Sequence, residues 1–260
     1  MRNVIINRKI VSNITIFRND KKTFAKMKRS KYIINLPRIN QDIAYLSGVI
    51  NGDGNIYLCR RKKIKYPRTK IKIFNNSKKY LNKINELFNK NFNLKGKITK
   101  KKDKNCYILT INNKIIWLYF VNFIGLPLNK IKLKVPKIFL KRKLFKYYLA
   151  GLFDTDGYFS KTFGIMLSGR NLHFLEELNE YSKKFHILTF SKPKINVLTK
   201  NNKIYLRTYM YLKKGDVERF KANIPLIHNK YKWARGGSNS ESLPFLPNGC
   251  KGYAPIDKTD

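Results

Sequence analysis

Two aspartates, Asp53 and Asp156, stand 103 residues apart at matching points of a repeated nonapeptide, Leu46-Ser-Gly-Val-Ile-Asn-Gly-Asp-Gly54 and Leu149-Ala-Gly-Leu-Phe-Asp-Thr-Asp-Gly157. Read as helices, both copies carry small residues four apart: Gly48 and Gly52 in the first, Gly151 and Thr155 in the second. Small residues at that spacing let two helix backbones come close together. Each aspartate then falls in a last helical turn, where the partial negative charge of the helix end opposes a carboxylate. Packing the helices together also brings the two carboxylates across one seam, and like charges sharing a site repel. A divalent cation resolves both conflicts. Mg2+ suits the arrangement, because it takes one or two carboxylates and completes its shell with water and substrate phosphate oxygens; Mn2+ is the alternative with the same taste for oxygen. Gly54 and Gly157 are expected to close the two helices in left-handed caps.

The remaining charge narrows the partner. The 260 residues hold 56 Lys+Arg against 15 Asp+Glu, a formal net charge of +41. Self-repulsion at that density disfavours a compact chain unless a polyanion is its working partner. Disorder is excluded by composition, since 43% of residues are hydrophobic and 13% aromatic, enough to build a core. No apolar run is long enough to span a membrane. Cys59, Cys106 and Cys250 are too scattered for a disulfide framework or zinc site, and reduced thiols are expected. The first 19 residues lack acids, which a basic DNA-contacting arm explains better than a transit peptide, because serine is scarce. Heavy use of Lys, Asn and Ile points to an A/T-rich genome. The expected location is intracellular, in a prokaryotic cytoplasm or in an organelle.

The elements that must position the aspartates repeat as well. After the first nonapeptide, Lys70-Ile-Lys-Ile-Phe74 alternates cation and apolar residue, the period of a half-buried strand. Asn75-Asn-Ser77 opens a helix with Leu81, Ile84, Leu87 and Phe88 on one stripe. A hairpin follows from Gly96 to Thr110, then a helix over Ile115 to Ile124 stopped by Gly125 and Pro127. The second half runs in the same order: a strand at Phe163 to Leu167, a helix after Gly169-Arg-Asn171, a hairpin from Ile195 to Leu212, and a short helix at Val217 to Ala222. Four segments result: a basic extension (1–40), two repeats (41–140 and 141–235) and a Gly/Ser/Pro-rich tail (236–260). The extension holds 11 Lys+Arg against Asp20.

The paired nonapeptides resemble the signatures of LAGLIDADG homing endonucleases in their single-chain form with two motifs. The likeness covers roughly residues 42–233, and the second copy departs from the family name only at Phe153 and Thr155. It implies an α/β (α+β) fold of two αββαββα halves about a pseudo-two-fold axis, with the signature helices at the centre and two sheets forming a saddle on DNA. It further implies that Asp53 and Asp156 bind divalent metal over the scissile phosphates, with the carbonyls of Gly52 and Thr155 as additional ligands. Asn51 replaces the first acid of the first motif, and Asp154 keeps it in the second. The family's basic residue late in each half maps to Lys130 and Lys230, in the matching contexts Ile124-Gly-Leu-Pro-Leu-Asn-Lys130 and Ile224-Pro-Leu-Ile-His-Asn-Lys230. Such a lysine would polarise a phosphate oxygen or position the attacking water. Asn75 and Asn76 in one half, Arg170 and Asn171 in the other, fall where the family holds water.

The strand faces Lys70/Lys72 and Lys203/Tyr205/Arg207/Tyr209 put cations and hydrogen-bonding rings on one surface. A two-stranded ribbon of that kind fits the DNA major groove, and a basic stripe present in both halves fits a phosphate-contacting surface. The expected protein is a monomer that cuts both strands of a long asymmetric duplex site, leaving short 3′ overhangs and serving intron mobility. Ending at Thr259-Asp260 with no terminal Asn, the chain is not expected to be an intein. Two rivals share the scaffold: a splicing maturase that binds intron RNA, to which the basic extension would belong, and a DNA-binding regulator without catalysis.

Overall fold

The computed structural model describes residues 14–19, 22–28, 30–59, 68–102, 104–160, 164–169, 171–200 and 203–228, with backbone alone at 19, 59, 159–160, 198–200 and 203–207. The described residues open with three antiparallel strands, β1 (Ile14–Asn19), β2 (Lys22–Met27) and β3 (Ile33–Leu36), in that spatial order. The basic extension is therefore not simply an arm. Ala25 and Ile34 are fully buried beneath this sheet. The Tyr119 hydroxyl donates to the Pro37 carbonyl at 2.9 Å, and Asn35 Nδ2 donates to the Asn91 carbonyl at 2.8 Å, tying the sheet to the first repeat.

Both repeats then follow one plan. In the first, helix α1 (Gln41–Gly52) leads into β4 (Gly54–Cys59) and β5 (Arg68–Asn75). Helix α2 (Lys78–Phe92) connects to β6 (Lys97–Lys100) and β7 (Tyr107–Ile111), and helix α3 (Lys114–Leu118) continues as one wide π turn over Tyr119–Ile124. In the second, helix α4 (Arg142–Asp156) leads into β8 (Gly157–Ser160) and β9 (Gly164–Gly169). Helix α5 (Leu172–Lys184), strands β10 (Lys194–Lys200) and β11 (Lys203–Tyr211), and helix α6 (Val217–Asn223) complete it. The sheets have the same order, β4-β5-β7-β6 and β8-β9-β11-β10. This is the expected pair of αββαββα units.

Local chemistry places the boundaries. Asn40 Oδ1 accepts from the Ile43 N–H at 2.9 Å and Ser77 Oγ accepts from the Tyr80 N–H at 3.2 Å, each satisfying a helix-start donor that has no partner within the helix. Asn113 and Asn171 cap α3 and α5 in the same way. Gly125, at φ 86°, ends the π turn in the left-handed region, where glycine avoids the Cβ penalty. Two expectations fail. Gly54 and Gly157 are not left-handed caps: Asp53 is the helical-region cap of α1, Gly157 is extended at φ −74°, and Gly54 lacks a positive φ. Glycine is required at 54 for closeness instead, because a Cβ there would sit 2.5 Å from the Ile50 Cα. The cysteine expectation fails at Cys106, which is disulfide-bonded.

The two units join through their first helices. α1 and α4 pack along each other, and a Cβ at Gly48 would strike the Tyr148 carbonyl oxygen just as one at Gly151 would strike the Tyr45 carbonyl oxygen. The reciprocity is that of a pseudo-two-fold axis. One hydrophobic core runs through both units, from Ile71, Ile73 and Leu109 under the first sheet to Leu167, Leu175 and Met210 under the second.

Candidate active site at the helix seam

Asp53 caps α1 at the end of the seam and is buried. Asn75, the last residue of β5, donates from Nδ2 to Asp53 Oδ2 at 3.2 Å, while its Oδ1 accepts from the Ser77 N–H at 2.9 Å. The amide is thereby locked, and it orients the carboxylate. Asp156 ends α4 and is half-exposed. Its Oδ2 lies 3.1 Å from the point a Gly52 Cβ would occupy, beside Thr155. Ser168 Oγ donates to the Asp156 carbonyl at 3.0 Å, fixing the turn below it. Glycine at 52 lets the Thr155 side chain of the second helix, with Asp156 next to it, pack against the end of the first, where a Cβ would overlap the Thr155 hydroxyl.

Lys130 reaches this place from the loop after α3, donating its ammonium to the Gly52 carbonyl oxygen. A cation at a helix C-terminus offsets the terminal negative charge. One of the two Gly52 lone pairs is thus engaged by a lysine. Thr155 turns its hydroxyl back onto its own helix, within 2.9 Å of the Gly151 carbonyl and 3.0 Å of the Leu152 carbonyl.

The seam is crossed by two reciprocal side-chain pairs that sequence reading missed. Tyr45 OH donates to Asp154 Oδ2 at 2.6 Å, and at the mirrored place Asn51 Nδ2 donates to Tyr148 OH at 2.8 Å. The signal was present, since Tyr45 and Tyr148 occupy equivalent positions ahead of the two motifs. Asp154 is 1% exposed, and its Oδ2 also accepts from the backbone N–H groups of Ile227 (2.7 Å) and His228 (3.0 Å). Burial, reinforced by the neighbouring Tyr80 and Asp154, pushes the Tyr45 phenol well above its ordinary range. Burial does the same to Tyr148.

A model of the LAGLIDADG-like domain matches residues 40–125 and again 146–225, most of the chain and both repeats. The chain belongs to the LAGLIDADG family. Solved structures of the homing endonuclease I-DmoI share the fold. One of its mesophilic variants aligns over 71% of this chain and 88% of that one, at 19% identity and a TM-score of 0.54. A structure of I-DmoI in complex with DNA and Mn aligns over 71% and 96%, at 20% identity and a TM-score of 0.53. Among curated proteins, a glutamine–fructose-6-phosphate aminotransferase from Methanocaldococcus jannaschii is 33% identical over 160 residues, 59% of this chain but 14% of that protein. This chain thus spans about a seventh of the length of that relative.

The remaining LAGLIDADG candidates separate on the structure. Asn75 reaches Asp53, whereas Asn76 is exposed. Asn171 is the counterpart of Ser77, not of Asn75: both are helix caps, and the strand residue two places earlier is Gly169. Its Nδ2 donates to the Ile131 and Leu133 carbonyls at 2.7 and 3.2 Å, bracing the linker between repeats. Arg170 and Lys230 lie outside the described residues, as do the 236–260 tail and the side chains of Lys203, Tyr205 and Arg207 on β11.

On the first sheet, Lys70 and Lys72 alternate with buried Thr69, Ile71 and Ile73, as the period required. Strand register extends this stripe across all four strands: Asn55, Lys72, Thr110 and Lys97 are cross-strand neighbours in one row, and paired residues in antiparallel strands share a face. Lys72 also lies over the Tyr57 ring, 5.2 Å from its centroid. On the second sheet, Ser168, Tyr209 and Lys194 form the equivalent row, opposite buried Thr208 and Met210. Asn55, Thr110, Lys97 and Lys194 become legible only through register.

Proposed function

We propose that this LAGLIDADG protein is a divalent-metal-dependent endodeoxyribonuclease that hydrolyses one phosphodiester in each strand of a long, asymmetric duplex site. The observation that carries the reading is the convergence of Asp53, Asp156 and the Lys130 ammonium at one end of the helix seam. Two carboxylates and a carbonyl form an all-oxygen donor set, which suits Mg2+ or Mn2+. When bound, the ion lowers the pKa of coordinated water and offsets charge on the attacked phosphate.

The chain's own residues account for the rest. Asp53 and Asp156 hold the ion, and Asn75 keeps Asp53 in one orientation. The Lys130 ammonium, held at the end of the seam by the Gly52 carbonyl, would stabilise the negative charge that builds on the phosphate during attack. The rows Asn55/Lys72/Thr110/Lys97 and Ser168/Tyr209/Lys194 line the two DNA-facing sheets, with Lys70 extending the first stripe. Their unequal chemistry favours a target without palindromic symmetry. Structures of I-DmoI in complex with DNA and Mn, and with DNA and Ca, support the same partner and class of ion. An origin in intron mobility and a monomeric state belong to this proposal.

The deciding experiment exposes a randomised duplex library to the protein with Mg2+ and sequences the ends produced. Wild type should yield one enriched asymmetric site, and Asp53→Asn with Asp156→Asn should retain binding to it while cutting neither strand. Cleavage by the double variant equal to that of wild type would sink the assignment.

A further inference from the structure

The turn that carries Lys130 has little apolar anchorage of its own. Lys130–Lys132 forms a single 3-10 turn opened by Asn129, whose Oδ1 accepts from the Ile131 N–H at 2.9 Å. Leu128 is 43% exposed and Ile131 74%, while the nearest buried side chains are Leu126 on one side and Leu133 on the other. Hydrogen-bond geometry in a 3-10 turn is poor, so the turn needs support from outside.

That support comes from the second repeat. Asn171 Nδ2 donates to the Ile131 and Leu133 carbonyls at 2.7 and 3.2 Å, and Glu177 Oε2, on α5, accepts from the Val135 N–H at 2.8 Å. The link continues to the second aspartate, because Ser168, which donates to the Asp156 carbonyl, stands three residues before Asn171. The first repeat returns the arrangement. Lys83, on α2, donates to the Ile227 carbonyl at 3.2 Å, and the Tyr80 and His228 rings meet with centroids 4.6 Å apart. Counted from the caps Ser77 and Asn171, Lys83 and Glu177 are both the sixth residue. One helix position in each half thus holds the segment that closes the other. The groups it holds are main-chain groups, so the contact does not depend on which side chains the closing segment carries.

We propose that Asn171 and Glu177 are positioning residues for Lys130, so that the second repeat aims the lysine of the first and the cut served by Lys130 requires both halves to be docked. The inference rests on the nuclease reading for the role of Lys130. The ammonium meets Gly52 in the first repeat, while the main chain behind it is held by the second. Breaking the brace leaves the charge and both aspartates in place and shifts the lysine, and a misplacement of about 1 Å is enough to cost about a hundredfold in rate.

The test uses the full-length chain. Asn171→Asp keeps the size and the capping oxygen but withdraws the amide donor from both carbonyls. Single-turnover cleavage at saturating Mg2+ should fall about ten- to a hundredfold, with duplex affinity changed by less than about threefold. In a Lys130→Met background the same substitution should change the rate by less than about twofold, because residues that act as a unit are not additive. Glu177→Leu should behave like Asn171→Asp, and Glu177→Gln, which keeps an acceptor oxygen, should recover most of the loss. Hydrogen exchange reads the brace without cleavage: amides at 131–135 should exchange about tenfold faster in Asn171→Asp and Glu177→Leu, with those of the seam helices unchanged. Equal rate losses in the wild-type and Lys130→Met backgrounds would overturn the proposal, as would unchanged exchange at 131–135. A wild-type chain that cuts no duplex, with faster exchange in the variants, would sink the nuclease reading and the catalytic part of the proposal with it, while the hold between the repeats would stand.

Discussion

The Lys130 ammonium donates to the Gly52 carbonyl, at the end of the helix that Asp53 caps. The lysine therefore belongs to the carboxylate site by contact and not only by analogy with the second half. Lys130→Met, which retains the stem and removes the charge, should lower single-turnover cleavage by about a hundredfold or more, the scale of losing one charge-stabilising donor. Duplex affinity should change by less than about threefold, since one phosphate contact among many is lost. A parallel fall in binding and cutting would assign Lys130 to grip alone.

Asn75 acts on Asp53 through a single amide proton. Asn75→Ala should raise the Mg2+ concentration needed for half-maximal cleavage by about ten- to a hundredfold, the usual effect of removing a group that orients a metal ligand. Saturating Mg2+ should recover most of the rate. A loss that Mg2+ cannot rescue would mean that Asn75 itself touches substrate.

The reciprocal seam pairs predict unequal costs. Tyr45→Phe withdraws a hydroxyl from a buried carboxylate and should destabilise by about 1.5–3 kcal/mol. Tyr148→Phe withdraws an acceptor from a neutral amide and should cost about 1 kcal/mol. Urea unfolding of the two variants, compared at unchanged m-value, checks the order. Equal losses would contradict the reading of Asp154 as the more demanding partner.

High pH should destabilise the fold through the same residues. Burial raises the folded-state pKa of Tyr45, Tyr119 and Tyr148. The native state therefore keeps protons that the unfolded chain releases from about pH 10 upward. Stability contributed by these phenols is complete below that pH and falls as pH rises beyond it. Tyr148→Phe should flatten the decline relative to wild type, as measured by denaturation at pH 9 and above.

A methyl group at the helix crossing should be costly in proportion to closeness. Gly48→Ala and Gly151→Ala each drive a Cβ into a main-chain carbonyl of the opposite helix, which side-chain rotation cannot relieve. Each should lose at least about 1–3 kcal/mol, read as a lowered thermal midpoint. Gly125→Ala, where no atom lies within 4 Å but φ is 86°, should be destabilised by backbone strain alone and spare the seam.

Repetition made the centre of this molecule readable from sequence. Two copies of one nonapeptide revealed Asp53, Asp156 and the helix pair, because closeness of backbones demands Gly48 and Gly151 at fixed spacing. Lys130 was legible as a position, but its contact with Gly52 depends on how a loop folds back across a sequence separation of 78 residues. The polar clusters before α2 and α5 were paired one place out of step. Asn75-Asn76-Ser77 and Gly169-Arg170-Asn171 each offer a cap, and composition does not say which residue takes it. The N-terminal sheet went unread because its lysines interrupt the apolar pattern on the outward face while the buried face is carried by residues as small as Ala25.

The three donors gathered by Asp154 bear on inheritance. Two of them are N–H groups of the segment that closes the second half, Ile227 and His228. At the place matching Ile227 the first half has Pro127, whose ring nitrogen has no hydrogen to give, and there the facing residue is Asn51, an amide that donates to Tyr148 and needs no such N–H. Each central helix has thus become fitted to its own closing segment about seventy residues downstream. Exchange between relatives can pass on a half as a whole, from helix to closing segment, but a lone helix moved across would strand a buried charge.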